Sequence, residues 1–154
     1  MKKIITLGLM LFLVCAVAAF AGGGREKNSQ IISIGKVSGT ITGDHHFFAD
    51  EQTSERIIFR TKEVIYGFAY IEIIPSEDSE GNFVLLVGEQ LFSTVAITPT
   101  MPVVVSVSIG SGIPARGIQF EYEGTVKYFY ITESGMDGSL QLVEFTPYIG
   151  GVTH

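Results

Sequence analysis

The chain has 154 residues, 16 acidic against 10 basic, for a formal net charge of −6 at pH 7. That sign of charge repels phosphate backbones and anionic lipid headgroups, so it excludes nucleic acid as a partner and electrostatic docking on a membrane. The single cysteine, Cys15, has no disulfide partner within the chain, and core burial has to hold the fold together.

The N-terminus carries the three parts of a secretory signal. Lys2 and Lys3 form a positive start, residues 4–18 are apolar, and Ala19-Phe20-Ala21 is a small-x-small cleavage site. The apolar stretch is short for a membrane span, which needs about 20 residues. The expectation is a signal peptide over 1–21, cleaved so that Gly22 begins the mature chain. The alternative is a lipoprotein signal acylated on Cys15. Against it, Val14 stands where that processing wants a small residue, and the mostly apolar 16–21 would replace a polar tether. A leader of this style points to a bacterium and to a periplasmic or secreted location. Membrane contact follows only if Cys15 is lipidated or the fold is a membrane barrel. Removing 21 of the 154 residues leaves 133, enough for one domain, and loss of Lys2 and Lys3 moves the charge from −6 to −8.

Residues 22–30 (GGGREKNSQ) read as a flexible polar tether ahead of a domain over 31–154. From there period-two alternation runs almost throughout. Candidate strands fall at 31–42, 56–60, 63–74, 83–87, 91–98 and 103–109, then in "GIQFEYE", at 125–132 and in "LQLVEF". Turn-rich clusters separate them: "GDHHFFADEQTS", "PSEDSEGN", "VGEQ", "TPTMP", "GSGIPARG" and "ESGMDGS". In "VVVSVSI", Val103, Val105, Val107 and Ile109 share one face while Ser106 and Ser108 take the other. A short helix over 48–55 is the one helical alternative. Eight or nine strands with short connections predict an all-β fold: a single antiparallel β-sandwich, with a small β-barrel as the alternative. "VIYGFAYIEII" is apolar on both faces, with Ile65, Ala69, Ile71 and Ile73 on one and Tyr66, Phe68 and Tyr70 on the other. It is either a central strand covered on both sides or a strand in lipid. An eight-stranded outer-membrane barrel fits the length, but the faces do not separate into polar lumen and apolar exterior.

Several motifs resemble functional ones in spelling. "GSGIPA" formally matches a dinucleotide-binding pattern, yet that chemistry needs a helix N-terminus, and here a strand follows. "SIGK" spells a Ser-x-x-Lys pair, but in a strand Ser33 and Lys36 point to opposite faces. "SEDSEG" places Ser76, Asp78 and Glu80 as in half of a calcium loop, with Val87 where the bidentate glutamate should be. "GDHHFFADE" gathers Asp44, His45, His46, Asp50 and Glu51, which are ligands suited to zinc, copper or nickel. Adjacent histidines in a strand point apart, so only a loop could converge them. The bland reading is a polar loop in which Phe47 and Phe48 plug the end of the sandwich. Of the tyrosines, Tyr128 and Tyr130 flank Phe129, so one face of that run must lie off the core. With Glu121 and Glu123 on the neighbouring run they make the candidate ligand surface.

These residues support an exported, non-catalytic binding or structural module of the bacterial cell envelope. It needs no cofactor or metal, and its partner would be an envelope protein or peptide held by a sheet face or edge. The second reading is an outer-membrane barrel or barrel-associated protein. The third is a small metal-dependent enzyme at the His45-His46 loop.

Overall fold

The computed structural model describes residues 31–110 and 112–149. The expected signal peptide, Cys15 and the 22–30 tether lie outside the described residues. In chain order the strands are β1 (Ile32–Lys36), β2 (His46–Ala49), β3 (Arg56–Thr61), β4 (Ile65–Glu77), β5 (Phe83–Ile97), β6 (Val103–Ser106), β7 (Arg116–Tyr122), β8 (Thr125–Glu133) and β9 (Leu140–Glu144). They form a four-stranded sheet, β1-β3-β6-β2, and a five-stranded sheet, β5-β4-β7-β8-β9. The two sheets are not closed into a barrel, so the architecture is the expected sandwich rather than its small-barrel alternative.

Alternation builds the core between the sheets. Ile57, Phe59, Val103 and Val105 face inward from the first sheet, and Phe68, Tyr70, Ile118, Phe120, Phe129 and Ile131 from the second. Phe59 and Phe68 meet at 5.5 Å across the interface, and Phe120 stacks on Phe129 at 5.5 Å between neighbouring strands. One side of the sandwich is closed by an ion pair between Lys36 of β1 and Glu133 of β8, 2.5 Å long. On the other side Phe48 of β2 stacks on Phe92 of β5, with centroids 5.6 Å apart.

The outward face of the second sheet is buried too. Ala69, Ile71 and Ile73 of β4 point away from the facing sheet and form their own cluster. Leu85, Val87, Tyr128, Tyr130 and Phe145 pack against it. The covered strand predicted from "VIYGFAYIEII" is thus present, but the division of its faces is different. Gly67 takes a left-handed φ of 59°, and the register against β7 shifts between Tyr66 and Ala69. That bulge changes the phase of the alternation. Ile65 therefore shares the inner face with Phe68 and Tyr70, while Tyr66 is left 58% exposed.

Three other expectations change. The turn read in "VGEQ" is absent: β5 runs unbroken for 15 residues, and its register slips against β4 between Tyr70 and Ile71 and between Ile71 and Ile73. The extra residues are accommodated as bulges near Gly88, where a Cβ would collide with the Glu72 and Ile74 side chains. The turn cluster "GDHHFFADEQTS" contains strand β2, which pairs parallel to β6 from His46↔Val103 to Ala49↔Ser106. That is the one parallel ladder in the otherwise antiparallel pairing of the described strands, and residues 50–55 after it are irregular, not helical. A strand edge supplied by β6 outweighed the local turn chemistry. Finally, Phe48 packs inward as expected, but its neighbour Phe47 stays 51% exposed with the Arg56 guanidinium 5.9 Å above its ring.

Candidate functional site

The β7–β8 hairpin holds three of the four residues of the expected ligand surface on its strands and one in its turn. Tyr122 pairs with Thr125, so Glu123 and Gly124 form a two-residue turn with φ of 51° and 74°. Two successive positive φ values match the mirror-image turn that suits a right-twisted hairpin. Glu123 is therefore a turn residue. Phe129 faces the core, which sends Tyr128 and Tyr130 to the outer face, where both rings approach Phe145 at 6.1 and 6.0 Å. Glu121 stays exposed on that face, between Tyr66 and Val126 in the ladder.

What sequence reasoning missed is the cover. After β9 the chain crosses the outer face as an extended strap, residues 145–149. Phe145 N–H donates to the Tyr128 carbonyl at 3.0 Å, and Tyr148 N–H donates to the Leu85 carbonyl, also at 3.0 Å. The second bond requires the Leu85 carbonyl to point away from β4. Its partner there, Pro75, has no N–H to offer. Strap, hairpin arm and β8 enclose a groove of about 840 Å³, lined by Leu86, Val87, Val126, Tyr128, Phe145 and Tyr148 among others. Lys127 and Glu144 stand at its wall as an ion pair 2.8 Å long. Of the four expected residues, Tyr128 lines the groove and Tyr130 supports it through Phe145; Glu121 and Glu123 do not line it. The proline, threonine and tyrosine of "FTPYI" gave no sign that this segment would return across a sheet.

The "GDHHFFADE" constellation is dispersed. His45 Nδ1 lies 2.9 Å from the Gly43 carbonyl, whereas His46 turns inward, with Nε2 3.5 Å from Thr94 Oγ1. Strand geometry at β2 separates the two rings. Among the described residues, no group of three or more histidine, cysteine or carboxylate side chains gathers as a metal site would require. Glu51 accepts from the Ser108 N–H at 3.3 Å, while the Ser106 hydroxyl donates to the Glu51 and Thr53 carbonyls at 3.2 and 2.8 Å.

Asp50 becomes the centre of a buried polar bridge between the sheets. Its carboxylate receives Arg116 Nε at 2.6 Å, Arg116 Nη2 at 3.3 Å and the Tyr70 hydroxyl at 3.0 Å. Burial, then the Asp50 charge, pushes the Tyr70 phenol well above its ordinary value, and the bond to Asp50 raises Arg116 further. A phenol kept neutral keeps its proton for the bond to the Asp50 carboxylate that also holds the Arg116 guanidinium. The bridge therefore pins β2 to β4 and β7.

The remaining motifs are also locally explained. Asp78 accepts from the N–H groups of Glu80 and Asn82, each at 2.9 Å, and from the Asn82 amide; the Asn82 bonds hold its carboxyl below the usual range. "SIGK" lies in β1, with Lys36 bound to Glu133, and the glycine-rich "GSGIPA" leads directly into β7. Comparison with protein-family models, curated proteins and solved structures finds no match.

Proposed function

We propose that the protein is an exported, non-catalytic binding module of the bacterial cell envelope, and that it takes its ligand in the groove on the outer face of the second sheet. The groove itself carries this reading. Its volume, about 840 Å³, is in the range that holds a small organic ligand. Its apolar wall combines Leu86, Val87, Val126 and Phe145, and Lys127, Tyr128 and Glu144 add polar groups at defined places. One wall is a strap attached by single backbone bonds rather than by a ladder, so it can yield to a ligand at small cost.

Nile red is a suitable first probe, because it emits when it leaves water for an apolar cleft. Binding should saturate at one site and weaken at least tenfold in Val126→Asp, a position 48% exposed on the groove wall. Phe47→Ala, on the opposite sheet, should bind as the parent does. Equal binding in all three proteins would remove the groove from consideration. The exported location has its own test. Intact mass of the native protein should correspond to a chain starting at Gly22, and a mass carrying lipid on Cys15 would place it on a membrane instead.

A further inference from the structure

The second strand-like feature on this molecule is an edge rather than a groove. β5 is the outermost strand of the five-stranded sheet, and its two halves differ. The half nearer the hairpin tip, at Leu85, already receives the strap's Tyr148 N–H. The other half, residues 92–97, runs in regular register with β4 from Tyr70↔Phe92 to Ile65↔Ile97. Its sequence, FSTVAI, contains no charge, proline or glycine, and Val95 at its centre is 84% exposed. Natural edges are commonly blunted by charge, proline or bulges. Here the β5 bulges lie at 88–91 and stop short of this run; its far residue, Ile97, is fully buried in the core, which leaves about five residues of edge, 92–96, with a defined end.

The chemistry at that end selects a partner. Glu89 is exposed beside Glu72, and the hairpin arm continues with Glu77, Asp78 and Glu80; no lysine or arginine occurs between 72 and 89, and Arg116, opposite Glu72 in the ladder, is held by Asp50. A second copy would bring the same acidic surface to a chain whose residues 31–149 hold 15 carboxylates against six cations. We infer that residues 92–96 of β5 accept an extended segment of another polypeptide, paired antiparallel, with small apolar residues alternating along it and basic residues at its C-terminal end. The antiparallel direction places that end alongside Glu89 and Glu72. Backbone bonds would supply affinity, and the acidic end would set direction and partner choice. This surface is separate from the groove, so either can fail without the other.

The test uses two acetylated, amidated peptides that share an alternating Thr/Val hexapeptide and end in two lysines or two glutamates. Hydrogen exchange of the full protein is followed by NMR at low salt. With the lysine peptide, amide exchange within residues 92–96 should slow at least tenfold, while the glutamate peptide should need at least tenfold more material for the same protection. Glu89→Lys should erase that preference, and added salt should shrink it. Val95→Pro should abolish protection, with its melting curve checking that the domain stays folded; Val95→Lys serves the same purpose if it does not. Three results would overturn the inference: no protection of 92–96, equal protection by both peptides, or protection that rises with protein concentration alone. The last would assign the edge to a second copy of the chain.

Discussion

On the inner face of the second sheet, Phe68, Tyr70, Phe120 and Phe129 are buried against a facing sheet. On the outer face, Ala69, Ile71 and Ile73 are buried against the sheet's own hairpin arm and the strap that follows β9. Both faces are apolar, yet they are built differently. The inner one exists only when two sheets from distant parts of the chain meet, so its loss is global. The outer one is closed by attached pieces, each held by a few bonds, so it can open locally while the sandwich stays folded. The groove lies in the part of the molecule that can give way.

Substitutions on the two faces should therefore differ in size and kind. The largest effect is expected from Phe59→Ala on the inner face. Phe59 is fully buried between Phe68 and Tyr70, and a cavity there should cost about 3–5 kcal/mol, read as a lower urea midpoint with one cooperative transition. Gly117→Ala comes next, because the outer face has no room for its Cβ. A Cβ there would press on the β8 backbone at the Phe129 carbonyl and on the Ile73 side chain, at a cost of about 1–3 kcal/mol. Asp50→Asn keeps the shape of the inter-sheet bridge and removes its charge. With Arg116 about a quarter exposed, water offsets part of the loss, and about 1–2 kcal/mol is expected. Phe145→Ala on the outer face should cost about 1 kcal/mol, since the ring is only half-buried. It should speed amide exchange at Tyr148 without moving Phe59 and its neighbours. A fully coupled response would mean that strap and sandwich unfold as one unit.

Alkali separates the faces in a second way. The fold holds Tyr70 neutral, so its contribution to stability is complete below the phenol's ordinary value near pH 10 and is lost as pH rises beyond it. There the unfolded chain releases a proton that the folded one keeps. Stability should fall by up to about 1.4 kcal/mol per pH unit from this group. Tyr70→Phe should flatten that limb by one proton's worth, measured as urea midpoints between pH 9 and pH 12. An unchanged slope would mean that the phenol ionises in place.

The candidate site was partly legible. Alternation around Phe129 required that one face of the run lie off the core, because the side-chain period of a strand depends on nothing beyond the strand; which face it is, that of Tyr128 and Tyr130, came from the stacking of the sheets. The covering strap was not legible, since "FTPYI" has no pattern that says which surface it will cross. Nor was the Asp50–Arg116 bond, whose partners stand 66 residues apart and become neighbours only when the sheets stack.

By itself the sequence determined an all-β sandwich with most of its strands and the inward residues of β6. Those features follow from local periodicity and from hydrophobic burial of one face. Tertiary structure alone decided where periodicity breaks. It turned "VGEQ" into bulges within one long strand, shifted the phase of β4 at Gly67, and drew "HFFA" out of a turn-rich segment to pair with β6. In each case the backbone hydrogen bonds offered by a neighbouring strand outweighed local preference. A lone segment cannot reveal that choice, because the neighbour comes from elsewhere in the chain.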